Sequence, residues 1–219
     1  MAALSVSCTT GVMKSPDKSV SARLFEEDGK LFYEVGFRGS TVIEKSRLGF
    51  VIDGKTVGIG GSVTVEQLGL YEKLAAHNTV WWHHAVPEGM TPVEVRDAAV
   101  RAQIYISSVN AISEKGEIVN IDNTGNRVAA ISYGPETVYL LVGKNKVAPD
   151  FDAALWRARN VASPLNAKRL NRKTPCAVKG DKCYDCSSPD RICRDLSVLW
   201  MAPRGAKYVV VLIGEELGY

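Results

Sequence analysis

The chain has no apolar run long enough to cross a bilayer, which excludes a helical membrane span. It has no excess of one charge either. Lys and Arg number 27 against 24 Asp and Glu, a net +3, too mild to argue for nucleic acid as a partner. The first residues, MAALSVSC, contain neither a basic stretch nor a full apolar core. A secretory signal is therefore not expected, and the chain reads as cytoplasmic. Cysteine is scarce, five in all over 219 residues, too few for a disulfide scaffold. Internal repeats and low-complexity segments are absent. What remains is 46% hydrophobic and 23% charged, the composition of a globular protein with one sizeable core.

Residues 1–54 read as a short β-rich segment. Leu31–Phe37 is an aromatic-rich strand after the turn Glu27-Asp28-Gly29-Lys30. Thr41–Ile43 and Gly49–Ile52 are shorter strands, and Asp53-Gly54 is a second turn. From residue 55 strands and helices alternate, which predicts an α/β domain over 55–219 with a mostly parallel sheet. Strands are expected at about 56–59, 79–82, 104–109, 117–121, 128–133, 137–142, 197–201 and 208–213. Helices are expected at about 64–76, 91–103 and 150–161. Thr64 with Gln67, and Thr91-Pro92-Val93-Glu94, carry N-terminal capping patterns. Phe151, Ala154, Leu155, Ala158 and Val161 form an apolar stripe on the third helix.

Two loops have the composition of a ligand site. Gly58-Ile59-Gly60-Gly61-Ser62-Val63-Thr64 joins a strand to a helix. Glycines let backbone approach a ligand, and a helix start offers free N–H groups to an anion. Gly60, Gly61, Ser62 and Thr64 are its candidate binding residues. The loop has neither G-K-[ST] nor a full G-x-G-x-x-G, so a tight turn without ligand is the plain alternative. The stretches Asn110–Gly116 and Asn120–Arg127 lie beside strands, where open α/β sheets place their sites. Glu114 or Asp122 would be the acid or base there, Asn110, Asn120 and Asn126 the amide donors and Arg127 the cation. Both stretches also have the composition of connecting turns.

His83 and His84 follow Trp81-Trp82. Adjacent strand residues point to opposite faces, so ordinary packing at a strand end is expected. Lys168, Arg169, Arg172 and Lys173, with Lys179 and Lys182, read as a solvated basic face.

Four of the five cysteines, Cys176, Cys183, Cys186 and Cys193, fall within eighteen residues as C-x6-C-x2-C-x6-C. Thiolates are soft ligands suited to zinc or to an iron–sulfur cluster, and a C-x2-C pair can place two sulfurs on one metal. Spacing alone does not separate the two. Free structural thiols are the alternative.

Taken in order, several segments resemble the LUD (lactate utilization) domain family. They are Gly60–Thr64, Ser108–Ile112 with Glu114 and Gly116, Gly125–Ala130, Gly134-Pro135, Ala162–Arg169, Lys173–Cys176, Cys183-x-x-Cys186, Ser188–Cys193 and Gly214–Tyr219. Within the family they are most similar to stand-alone members with a cysteine-bearing C-terminal segment, over residues of about 55–219. The resemblance implies an open, Rossmann-like sheet of the NagB/RpiA/CoA-transferase type. It also implies a part in oxidising lactate or a related organic acid alongside iron–sulfur oxidoreductase subunits, and a small anionic substrate held at Gly60–Thr64 and Glu114–Arg127. Where family members begin with helices, residues of about 14–54 are instead similar to the start of the β-sandwich of glycoside hydrolase family 97. Two other functions fit the same loops. One is a sugar-phosphate isomerase or acyl/CoA-transferase-like enzyme using Glu114 or Asp122. The other is a non-catalytic binding or scaffold subunit.

Overall fold

The computed structural model describes residues 11–14, 18–27, 30–47, 54–60 and 63–219. The chain divides into two compact units, Met1–Ile52 and Asp53–Tyr219.

In the first unit β1 (Gly11–Lys14), β2 (Val20–Glu27), β3 (Lys30–Phe37) and β4 (Ser40–Arg47) form an antiparallel meander in chain order. Arg38 and Gly39, with φ of 49° and 84°, make the two-residue turn between β3 and β4. Two successive positive φ values match the right-handed twist of the paired strands. The expected strand at Gly49–Ile52 lies outside the described residues, as does the Asp28-Gly29 centre of the first turn.

The second unit begins with β5 (Thr56–Gly60), α1 (Val63–Gln67), α2 (Leu70–Ala75), β6 (Thr79–Trp81), α3 (Pro92–Val100) and β7 (Ile104–Ser108). It continues through β8 (Ala111–Ser113), β9 (Ile118–Asp122), α4 (Asn126–Ser132), β10 (Thr137–Gly143) and β11 (Val147–Ala148). It ends with α5 (Phe151–Arg157), α6 (Ser163–Arg169), α7 (Pro175–Lys179), β12 (Asp195–Leu199) and β13 (Lys207–Ile213). A π-helical turn, Ala158–Ala162, joins α5 to α6. Among the described residues no helix is long and apolar enough to cross a membrane.

Five strands form one wholly parallel sheet in the order β13-β10-β7-β5-β6. This is the open, Rossmann-like arrangement expected from the strand–helix alternation. The central strands are covered on both faces and read as continuous apolar runs. Val57, Tyr105, Ile106, Val138, Leu140 and Val142 are fully buried. Edge strand β13 alternates instead between half-buried and exposed residues. A second, mixed sheet runs β11-β8-β9-β12.

Helix α3 starts with the expected capping box. Thr91 Oγ1 accepts from Glu94 N at 3.3 Å, and Thr91 N donates to Glu94 Oε2 at 2.8 Å. The helix expected over 64–76 is broken into α1 and α2 at Gly69, whose φ is 55°. Of residues 128–133, expected as a strand, 128–132 belong to helix α4 and Tyr133 caps it. The Asp122 carboxylate accepts from Arg127 N at 3.2 Å and Val128 N at 3.4 Å, which starts a helix there. Val128 and Ile131 then bury one helical face.

Two glycines of β5 owe their identity to packing. A Cβ at Gly58 would land on the backbone carbonyl of Ala99 in α3, and one at Gly60 on the Tyr105 hydroxyl. Backbone cannot retreat as a flexible side chain can. Gly58→Ala is expected to cost about 1–3 kcal/mol. Urea unfolding followed by circular dichroism checks this, with a midpoint lower by roughly 1 M; an unchanged midpoint would show that α3 is free to move.

Candidate functional site

In sequence order the parallel sheet reads 2-1-3-4-5 from its β6 edge. Its chain direction switches between β5 and β7, and ligands of open α/β sheets sit outside the carboxyl ends of strands at such a point. A cavity of about 410 Å³ opens there. That volume suits a small organic molecule. Every strand of the sheet contributes from its carboxyl end: Val63 and Thr64 after β5, His83 and His84 after β6, Ser108 and Asn110 after β7, Lys146 after β10, and Gly218 and Tyr219 after β13.

Arg127, on α4, holds the floor together. Its guanidinium donates to Ser108 O at 3.2 Å, Asn120 Oδ1 at 2.8 Å, Asn110 Oδ1 at 3.2 Å and Ile121 O at 2.7 Å. Asn110 Oδ1 also accepts from Ile121 N at 2.7 Å. These bonds bind the end of β7 to β9. With Asp122 capping the start of α4, both side chains are committed to protein contacts while lining the cavity.

The lining is strongly cationic. Among the described residues Arg96, Arg127, Lys146, Arg169 and Arg172 face it, against the one acidic side chain of Asp122. Arg172 is partnered by Asp190 at 3.6 Å, and Arg169 leans on Asn166 Oδ1 at 2.9 Å. Lys146 is 3% exposed, and its Nζ donates to Ser108 Oγ at 2.8 Å. Burial, then the positive charges of Arg157 and Arg127, push its amine down to about 7. The rings of His83 and His84 lie with centroids 4.3 Å apart, tilted 45° to each other. Burial, then His84, Arg96 and Arg169, lower His83 to about 4 despite the opposing pull of Asp122. His83 is thus neutral at physiological pH.

The residues singled out from sequence divide accordingly. Thr64, Asn110, Asp122, Asn126 and Arg127 come together around the cavity. Gly61 and Ser62 lie outside the described residues. Gly60 is buried against Tyr105 and does not line the cavity. Glu114 stands exposed, away from it, its N–H bonded to Ala148 O at 2.9 Å. The histidine pair, expected to pack at a strand end, lines the cavity because residues 83 and 84 occupy a tight turn after β6, where neighbours need not diverge. Arg169 and Arg172, expected on a solvated face, reach it from α6 and the turn that follows. Lys146 was missed. The usable signal was its place just beyond an apolar strand, at a carboxyl end.

The four cysteines carry free thiols and line a second, very small cavity of about 10 Å³. Cations and N–H groups point at their sulfurs. Arg191 Nε donates to Cys193 Sγ at 3.1 Å, while its Nη1 holds Cys186 O at 2.9 Å. Arg159 reaches Cys183 Sγ at 3.8 Å, and Asp185 N donates to the same sulfur at 3.4 Å. Thr174 Oγ1 lies 3.2 Å from Cys176 Sγ. The π turn supplies two of the supports, since Asn160 Oδ1 also accepts from Cys183 N at 3.2 Å. Such turns often mark functional positions. The donor set fits a thiolate-bound metal or cluster in kind: four soft ligands with charge-stabilising donors around them. Among the described residues no three or more His, Cys, Asp or Glu side chains are gathered closely enough to hold one metal ion. Ser163 and Ile192 line both this cavity and the large one, so the two share a wall.

A family model described as the LUD domain matches residues 40–213, starting ahead of the boundary expected at residue 55. No protein of curated function matches the chain. Among solved structures, a DUF162 family protein from Deinococcus radiodurans aligns at 12% identity over 73% of this chain and 88% of that one, with a TM-score of 0.29. The family model spans well over half of the sequence, and the chain belongs to the LUD domain family.

Proposed function

We propose that this LUD-domain protein serves the oxidation of lactate or a related organic acid, binding the small carboxylate in the cationic cavity. The observation that carries this reading is the charge of that cavity: five cationic residues and one acidic side chain around a volume fit for a few heavy atoms. Arg96 and Arg169 are the cations placed to meet the carboxylate. Arg127 and Asp122 position the loops, and Ser108, Asn110 and Asn126 offer hydrogen bonds to a hydroxyl or carbonyl. In the same reading Cys176, Cys183, Cys186 and Cys193 hold zinc or an iron–sulfur cluster, and iron–sulfur oxidoreductase subunits are the partners. An iron–sulfur group there would supply electron transfer, and zinc a structural staple. The wall shared by the two cavities supports the redox version. The isomerase or transferase reading loses support from the exposed position of Glu114.

Calorimetry with lactate is expected to show one site. Arg96→Gln and Arg169→Gln should each weaken binding about five- to tenfold, roughly 1 kcal/mol. Lys146 is charged below its pKa of about 7 and neutral above it. Affinity should therefore be highest at mildly acidic pH and fall above neutrality, towards about tenfold per pH unit at the limit. Absence of lactate binding, or binding indifferent to both arginines, would refute the anion site.

Protein purified without oxygen is expected to carry stoichiometric iron with acid-labile sulfide, or zinc, and Cys183→Ser or Cys186→Ser should bring the metal to background. A fully folded protein without metal would refute the thiolate site.

A further inference from the structure

Lys146 is the group in this cavity whose placement asks for more than anion binding. It closes a single 3-10 turn, Lys144–Lys146, directly after β10. That turn is pinned on both sides. Asn145 Oδ1 accepts from Leu217 N at 3.1 Å, Asn145 Nδ2 donates to Gly218 O at 3.1 Å, and Arg157 Nε donates to Asn145 O at 2.6 Å. The tail passes so near that a Cβ at Gly218 would stand 2.9 Å from Lys146 Nζ and 2.8 Å from Thr64 Oγ1. The amine is therefore buried, fixed in direction and bordered by the hydroxyl of Ser108. The charges acting on it, from Arg157 and Arg127, are both positive. Asp122, the acidic side chain of the cavity, is engaged in capping α4. A lysine in this setting is less readily protonated than an exposed one, and it lines the cavity.

We propose that Lys146 is a nucleophile that condenses with the carbonyl carbon of a 2-oxo acid bound in the cavity, forming an imine. The inference rests on the reading of this cavity as a site for small organic acids. The neutral amine nitrogen adds to the carbonyl carbon, and its two hydrogens leave with the carbonyl oxygen as one molecule of water as the C=N bond forms. No oxidant or reductant is consumed. Ser108 Oγ, 2.8 Å from Nζ, is placed to carry the proton from nitrogen to the departing oxygen. Arg96 and Arg169 line the same cavity and would hold the carboxylate. At neutral pH about half of Lys146 is the free amine, given its value near 7. An ordinary lysine has roughly a thousandfold less. The chemistry also gives the site a discrimination. A 2-hydroxy acid has no carbonyl to condense, so the covalent link forms with the oxidised member of a hydroxy-acid and oxo-acid pair and not with the reduced one.

The test uses the full chain with pyruvate as the probe and sodium cyanoborohydride to reduce any imine. The expected result is one carboxyethyl group per chain, mapped to the peptide holding Lys146, appearing about a hundredfold faster than on any other lysine. Excess lactate should slow the labelling without being trapped itself. Lys146→Arg, which keeps the charge, and Lys146→Met should each abolish the label while the circular dichroism of the folded protein is retained. The wild-type map decides the matter even where a variant fails to fold. Labels spread evenly over surface lysines, or none on Lys146 while calorimetry still detects bound pyruvate, would overturn the imine and leave the anion site standing. If neither lactate nor pyruvate binds, both readings fall together.

Discussion

The half-buried guanidinium of Arg127 is the constraint on which the cavity depends. Four acceptors converge on it from the end of β7, from β9 and from the loop between them. Asn110 Oδ1 keeps a second donor in Ile121 N, while the other acceptors lose a charge-assisted bond without the guanidinium. The same residue begins α4, where its backbone N–H is held by Asp122. One side chain and one cap thereby set the distance between the parallel sheet and the smaller mixed sheet. The opening at the β5/β7 switch point is what that spacing leaves.

Positive charge then accumulates in the opening because every strand of the parallel sheet ends there. The chain as a whole is nearly balanced, at +3, but its cations are not evenly spread. Burial first, and then this local excess, lower the pKa of His83 and of Lys146.

The cysteine segment is attached to the same frame by the π turn. The extra residue of a π turn rotates the helix register. Here Arg159 and Asn160 meet the loop around Cys183, while Ser163, just beyond, faces both cavities. A register change in one helix thus brings the thiols beside the larger cavity, with Ser163 and Ile192 as the shared wall.

Much of the architecture was legible from local chemistry. Strand–helix alternation after residue 55, the Thr91-Pro92-Val93-Glu94 helix start and the apolar central strands are properties of short segments, and neighbours along the chain suffice to decide them. So was part of the site: Thr64, Asn110, Asp122, Asn126 and Arg127 carry polar groups in loops beside strands. The helical state of residues 128–132 was not legible, because the Asp122 cap outweighed the β-like composition of that segment. Nor was the true role of Gly58 and Gly60, which answer to α3 and Tyr105. Lys146, the paired histidines and Arg169 are far apart in sequence and ordinary there. By itself the sequence determined the alternation of strands and helices and which loops carry polar and thiol side chains. Only the tertiary structure decided which of them share one cavity, because charge, burial and reach are set by the parallel strands that end together.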